Sequence, residues 1–498
     1  MTPIALAAVS ALALGWNLGV RTLADFDEAI YAEVAREATR DHSLVILHFN
    51  FAPWYQKPPL LMWIQALLFE ALGAGDAAAR IPSLVAAIAT VVLTFLIARR
   101  YLDWAPALLS SLVLIGCFQF VAAARFATTD MLLTFFVYLQ VWAYLRVREG
   151  HRRAWYVVGV AAGLGIMTKG AAGLAGPLVL LVALAADRRL LPTLLDRDAW
   201  VAVGLLLVIA APWHLLAFEY GGRAFLDDYV GYHLLRRAAQ PIEGHEGNAL
   251  TYFAYIRNQF FPWAYLALFA VPAYAYQWYR RRAVSAVLLA TVLVILVLYT
   301  VVQTKLVWYI LPVYPALAMM AAALLWRAAL GGRLELALVA LAGVLGALLI
   351  PHQLIDYPRV WAYGYLLLLV AAALLLLAFR FERAPVLIAG VTLAFFTAVS
   401  IERDIPLYRP DLPPVVAMAR IARDPSHRPL GVLVNDPRVI LDTPVWPDLL
   451  WYADRPLVTV HGTGLIPGVD DYLLARADVP GLTVVTTIGS LEFGRRSR

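Results

Sequence analysis

Cysteine is almost absent: Cys117 is the single one in 498 residues and sits inside an apolar run, so neither a disulfide nor a cysteine metal centre can be built. Charge is scarce as well. Charged residues make up 15% of the chain against 62% hydrophobic, whereas a soluble domain is about a quarter charged and about half apolar. That balance excludes a soluble globular protein and reads as a polytopic membrane protein. A glycine-rich phosphate loop is missing, which argues against a soluble nucleotide donor. Internal repeats and low-complexity tracts are missing too, the Ala/Leu bias being ordinary for membrane helices. Lysine occurs only three times among 40 basic residues, at Lys57, Lys169 and Lys305.

Apolar runs dominate what is present. They fall at Ile4–Val20, Ile81–Ala98, Pro106–Ala123, Met131–Leu145, Trp155–Met167, Ala171–Ala186, Ala199–Phe218, Phe261–Trp278, Val284–Val302, Val307–Leu325, Leu334–Ile350, Val360–Phe379 and Ala384–Ser400. These predict about thirteen transmembrane helices. Arginine gathers in alternate short loops, such as Arg99-Arg100 and Arg280-Arg281-Arg282, and marks their side as cytoplasmic. The N-terminus then lies inside, the first run is a retained anchor, and the loops 21–80 and 219–260 face outward with everything after Ser400. The formal charge of +6 serves this orientation, so no nucleic-acid partner is expected. Beyond Ser400, short β-rich runs (Leu430–Val434, Pro456–Val460, Leu482–Thr487) alternate with helical stretches (Val415–Ala422, Val469–Ala477). The expected architecture is an all-α membrane domain over residues 1–402, with amphipathic helices at the outer interface, and a small extracytoplasmic α/β domain over 403–498.

The stretch "LADFDEAIYAEVAREA" places five carboxylates directly after the first apolar run. Its spacing predicts an amphipathic helix on the membrane surface. A capping box accounts for Asp25 and Glu28. It leaves Asp27, which shares a helix face with Tyr31 and Ala35, and a carboxylate beside lipid is a functional candidate. In "RFATTDMLLTFF" Asp130 opens the fourth apolar run, with Arg125 just before it and Thr128 or Thr129 as the expected cap.

All three lysines map to the outer boundary. A compact ammonium suits a phosphate as a point charge, one pair near 4 Å being worth about 4 kcal/mol at an effective dielectric of 20. Lys169-Gly170 also fits an ordinary helix C-terminus, whereas Lys57 before Pro58-Pro59 has no such structural role. The loop "YHLLRRAAQPIEGHEGNALTYF" adds Arg236, Arg237, Glu243, His245 and Glu246. Its arginines suit a phosphate, its charges equally suit a solvated loop, and His245 leaves a divalent metal ion open. Carboxylates, lysines and arginines at one membrane face suit a reaction on a lipid-borne phosphate, a carboxylate activating the nucleophile while cations stabilise the leaving group.

At these residues the chain resembles the multi-spanning, lipid-dependent glycosyltransferases that group 4-amino-4-deoxy-L-arabinose transferases with protein O-mannosyltransferases. The matching stretches are "DFDEAIYAEVARE", "KPPLLMWIQALLFEALG", "RFATTDMLLTFF", "MTKGAAGLAGP", "APWH" and "KLVWYILPVYPALA", in order over the first 320 or so residues. The resemblance implies a GT-C membrane fold, a polyprenyl-phosphate-linked sugar donor and transfer at the outer face of a bacterial inner membrane. Asp27 then resembles the catalytic acid, Asp130 the second motif aspartate and Lys57 the lysine that meets the donor phosphate. His245 with Tyr252 resembles a third-loop segment. Gln56 is a departure, since the aminoarabinose transferases carry an acidic residue there, and it weighs against both a metal at this position and aminoarabinose as the sugar.

The expected function is inverting sugar transfer to lipid A, another envelope glycolipid or protein. Asp27 and Asp130 are the catalytic candidates. Lys57, Arg125, Lys169, Arg236, Arg237 and Lys305 are candidates for the donor phosphate, and Glu28, Tyr31 and Tyr252 for other substrate contacts. A transporter or flippase of lipid-linked sugars is the alternative, since intramembrane charges also mark transport paths.

Overall fold

The computed structural model describes residues 2–24, 26–260, 263–279, 283–348, 412–424, 426–434, 447–461, 465–475, 479–488 and 491–496. Asp25, the expected domain boundary at 402/403 and the runs Val360–Phe379 and Ala384–Ser400 lie outside them. Helices coincide with the other expected apolar runs. Four helical segments among the described residues are long and apolar enough to cross a bilayer, or five if one bent pair forms a single span, so the expected thirteen cannot be counted.

The chain opens with α1 (Pro3–Gly15), α2 (Asp27–Asp41), a hairpin of β1 (Leu47–Phe49) and β2 (Ala52–Trp54), α3 (Leu60–Leu72) and α4 (Asp76–Ala98). Asn50 and Phe51 both take positive φ, 54° and 62°, as a two-residue hairpin turn matched to strand twist requires. The run expected as one span at Pro106–Ala123 is broken. Helices α5 (Trp104–Ile115) and α6 (Phe118–Ala124) meet at 70°, where the Trp263 indole donates to the Gly116 carbonyl at 3.2 Å. Next come α7 (Thr129–Arg148), α8 (Ala154–Lys169), α9 (Ala175–Ala186), α10 (Leu190–Leu194) and α11 (Arg197–Phe225).

Without a hydrophobic drive between helices in lipid, close backbone approach must hold them. The Gly159-x-x-x-Gly163 face of α8 supplies it. A Cβ on Gly159 would lie 2.2 Å from the Ala202 carbonyl oxygen of α11, and one on Gly163 2.8 Å from Ile209 Cβ.

The segment expected as an outward loop, 219–260, is largely helical. After a break at Gly222 (φ 54°), π-helical turns run over Leu226–Arg236 into α12 (Arg237–Ala239), and α13 (Thr251–Gln259) follows. The bundle continues with α14 (Ala264–Tyr279), α15 (Ala283–Val301), a 3-10 turn (Val307–Val313), α16 (Tyr314–Ala329) and α17 (Arg333–Leu348).

Towards the C-terminus, α18 (Leu412–Ile421), β3 (Leu430–Val434), α19 (Pro447–Ala453), β4 (Leu457–His461), β5 (Asp471–Ala475), β6 (Leu482–Ile488) and β7 (Leu491–Arg496) build a mixed sheet in the order β4-β3-β5-β7-β6. Within the stretch expected as a helix at Val469–Ala477, Asp471–Ala475 therefore form strand β5. It is parallel to β3 on one side and antiparallel to β7 on the other, with Tyr472 and Leu473 buried, so sheet-core packing overrides its helical propensity. Helix α19 docks onto the first loop, where the Arg36 guanidinium donates to the Trp451 carbonyl at 2.7 Å and stacks on its ring at 4.8 Å.

Replacing Gly159 with Val should push α8 and α11 apart and destabilise the bundle by about 1–3 kcal/mol. A lower unfolding midpoint in detergent is the expected result; an unchanged midpoint contradicts the close approach.

Candidate active site

The site is organised by α2, and α2 is not the surface helix its spacing predicts. Residues Glu28 to Ala38 are all buried, between α3, the hairpin and α19. The reason lies in the charges, which are used internally. Glu28 accepts from Arg80 Nε at 2.7 Å and from its Nη2 at 2.9 Å, and also from the Ala24 and Ala127 N–H groups at 2.7 and 2.8 Å. Arg80 spends its remaining N–H groups on the carbonyls of Leu18, Arg21 and Thr22 at 2.8–2.9 Å. One ion pair thus ties the end of α1, the start of α2, α4 and the entry to α7 together. Its lone pairs and protons are satisfied, the condition under which a buried pair is tolerated. Glu28, expected as a substrate contact, is 1% exposed and holds the scaffold instead.

The helix starts at Asp27 after Phe26, whose backbone (φ 63°, ψ −124°) is one a bulky residue rarely adopts. Phe26 therefore stands where a capping side chain was expected, at a conformational cost of about 1–3 kcal/mol. This turn leaves Asp27 partly exposed beside the buried Tyr31, whose hydroxyl hydrogen-bonds to the Asp27 carboxylate. Burial first, then the Asp27 and Asp130 charges, push the Tyr31 phenol well above its ordinary pKa, so it remains a donor. Its ring meets Trp54 edge-on at 6.1 Å.

Lys57 follows the hairpin, half-buried, with its ammonium donating to the Gln56 carbonyl at 3.3 Å. Burial pushes it down to about 8, opposed by the negative charges of Asp27 and Asp130 and helped by the positive charges of Arg237 and Lys169. Those five side chains share one electrostatic neighbourhood. Asp130, at the start of α7, pairs with Lys169 at the end of α8, and both are nearly sealed. Lys169 also lies 5.1 Å from the Tyr309 ring centroid. The helix-terminal reading of Lys169 holds: Gly170 takes φ 58° directly after it. Arg237 reaches Glu243 at 2.9 and 3.0 Å and hydrogen-bonds to Tyr309, leaving its buried Nε without a partner.

Other candidates are placed elsewhere. Arg125 clamps the end of α1 through the Leu14, Trp16 and Asn17 carbonyls at 2.8, 2.7 and 3.3 Å. Lys305 donates to the Tyr299 and Thr300 carbonyls at 3.0 and 2.6 Å and to that of Val302, closing the end of α15 with all its protons committed. It lies 5.7 Å from the Tyr252 ring. Tyr252 is buried, and Arg236 is exposed, stacked on Tyr232 at 5.4 Å. Neither Thr128 nor Thr129 caps α7 through its side chain. Burial lowers the His245 pKa, Glu243 and Asp27 raising it again and Arg237 opposing them. Among the described residues no three His, Cys, Asp or Glu side chains converge as metal ligands, so His245 does not fit a metal site.

Arg80 was the residue to miss. The lone cation at the head of the apolar run "RIPSLVAAIATVV" demanded a partner, and that demand was the available signal. Less legible is the contact between two motifs, in which His214 of "APWH" meets the Tyr229 hydroxyl at 3.0 Å and that hydroxyl fills the space a Cβ on Gly170 would need.

The described residues form a mostly helical, polytopic fold that carries one charged cluster. The fold is similar to that of ArnT from Cupriavidus metallidurans, matched in the apo state with a TM-score of 0.77 at 21% identity over 99% of this chain and 97% of that one. The same protein bound to undecaprenyl phosphate matches with 0.76, at 21% identity and the same coverage. The model of the dolichyl-phosphate-mannose-protein mannosyltransferase family matches residues 56–215. Undecaprenyl phosphate-alpha-4-amino-4-deoxy-L-arabinose arabinosyl transferases are similar in sequence. That of Erwinia tasmaniensis is 27% identical over 61% of this chain and 56% of its own length, and one from Pseudomonas aeruginosa 30% over 62% and 57%. The matched part thus spans little more than half of these relatives. In sequence and fold the chain resembles the GT-C glycosyltransferases of the aminoarabinose transferase and protein mannosyltransferase group.

With three lysines in the chain, amine labelling reads this geometry directly. Near pH 8 about half of Lys57 is neutral, whereas an ordinary lysine near 10.4 is almost wholly charged. Lys57 should be modified first, with Lys169 and Lys305 protected by their partners. Labelling of Lys169 at an equal rate contradicts the Asp130 pair.

Proposed function

We propose that the protein is an integral-membrane glycosyltransferase that takes a sugar from a polyprenyl-phosphate donor. The observation that carries this reading is the convergence of Asp27, Lys57, Asp130, Lys169 and Arg237 at one end of the bundle, in a fold shared with a protein solved with undecaprenyl phosphate bound. The acceptor is lipid A or another envelope glycolipid, with protein as the further possibility. Transfer takes place on the outer face of the bacterial inner membrane. The N-terminus is then cytoplasmic, residues 403–498 form the extracytoplasmic α/β domain, and the segments 21–80 and 219–260 make up the active site.

Asp27 is the carboxylate available for chemistry. Among the described residues it has no ion-pair partner, whereas Asp130 is committed to Lys169. The acceptor oxygen attacks the anomeric carbon as the bond from that carbon to the phosphate oxygen breaks, which inverts the configuration. Asp27 takes or orients the acceptor proton, with Tyr31 holding the carboxylate in place. The leaving polyprenyl phosphate gathers charge against Lys57 and Arg237, and the Asp130–Lys169 pair sets their field. Where the acceptor is itself a phosphate, no strong base is needed and Asp27 orients it.

Purified protein in lipid, offered labelled polyprenyl-phosphate sugars and envelope acceptors, is expected to transfer sugar. Asp27→Asn should lower kcat by about 100-fold or more while polyprenyl phosphate still binds. If the wild type transfers nothing yet moves labelled lipid across the bilayer, the chain is a transporter. Lys57→Gln should weaken polyprenyl phosphate binding about tenfold or more. The ammonium is charged below its pKa of about 8 and neutral above it, so binding to wild type should weaken as pH rises through that value. A flat profile from pH 7 to about 9 removes Lys57 from the phosphate site.

A further inference from the structure

A second charged region lies at the other end of α2. There the C-terminal turns of α2, the turn between α3 and α4, and the segment around α18 and α19 enclose a cleft of about 940 Å³. Its cations are Arg36, Arg40, Arg420 and Arg423, and its carboxylates are Glu70, Asp76 and Asp454. The acids are largely spent. Asp454 alone answers three arginines, Arg36 at 3.2 Å, Arg423 at 3.2 Å and Arg40. Asp76 accepts from the Trp451 indole and the Tyr452 hydroxyl, each at 3.0 Å. Arg420 is exposed, has no carboxylate partner among the described residues and is held over the Tyr452 ring at 5.2 Å. A guanidinium fixed on an aromatic face with its donors open suits a phosphate oxygen.

The cleft's position selects the ligand. Gly19 and Ala77 line it, just beyond the end of α1 and at the head of α4, where two apolar helices end. Within three positions of lining residues in the chain, Trp16 (55% exposed), Val20 (75%) and Leu72 (63%) present apolar surface. Open cations above exposed apolar side chains match a headgroup above acyl chains. On α2 Asp27 and Arg40 are 13 positions apart, about 20 Å at the helical rise, so one phosphate cannot occupy both ends. We infer that this cleft is a second site, binding the phosphate of an anionic membrane lipid and seating the C-terminal α/β region on the bilayer surface.

The test is native mass spectrometry of the full-length protein released from micelles containing phosphatidylglycerol or phosphatidylcholine. The wild type is expected to retain phosphatidylglycerol selectively, and Arg420→Gln with Arg423→Gln, both on exposed side chains, to weaken that retention at least tenfold. Lys57→Gln should leave it unchanged, which separates this site from the donor site; because the readout is lipid retention, it is independent of sugar transfer. Equal retention of the two lipids, or retention unaffected by the double variant, overturns the proposal. So does displacement of phosphatidylglycerol by millimolar inorganic phosphate, which would make the ligand a soluble anion. Unfolding midpoints of the variants matching the wild type are expected; a fall in midpoint that tracks the lost lipid would assign the arginines to folding and overturn it likewise.

Discussion

The Glu28–Arg80 pair is the interaction on which the site depends. Neither charge can be left alone in a nearly water-free interior, so each collects every partner within reach. Glu28 gathers two backbone N–H groups from opposite sides of the site, and Arg80 gathers three carbonyls from the segment that links α1 to α2. The first loop is therefore pinned to α4 and to the entry of α7 at once. Asp27 and Asp130, more than a hundred positions apart in the chain, acquire a fixed separation as a result.

Around that frame charges are sorted by neutralisation. Asp130 and Lys169 cancel each other, Lys305 is consumed by carbonyls, and Arg125 by the end of α1. Asp27, Lys57 and Arg237 keep some capacity for a ligand: among the described residues Asp27 is bonded to a tyrosine, Lys57 to a neighbouring carbonyl, and Arg237 has an unpartnered Nε. A lysine whose pKa has fallen to about 8 would regain its proton's full stability on meeting a phosphate, so the site favours anion binding before any substrate arrives.

The periodicity that puts Asp27 and Tyr31 on one helix face was legible in the sequence, because i and i+4 geometry needs no tertiary information. The restriction of lysine to three positions, each beside an apolar run, could be read from the sequence alone. The role of Glu28 could not, since local spacing offers a capping box and only the fold supplies Arg80, 52 positions away. The same limit explains the buried α2, whose polar residues look solvent-facing until Arg36 and Arg40 meet Asp454 more than 400 positions later. Strand β5 failed differently: "DYLLA" has no strong period, and its central place in the sheet decided its conformation.

The central claim is that the cations beside Asp27 hold the phosphate of a polyprenyl-phosphate donor. A structure determined with polyprenyl phosphate bound tests it most directly. Phosphate density within hydrogen-bonding distance of the Lys57 ammonium, and within reach of Arg237, is the predicted result. Phosphate resting only at the α18–α19 cleft, or lipid bound with Lys57 still turned to the Gln56 carbonyl, would contradict it.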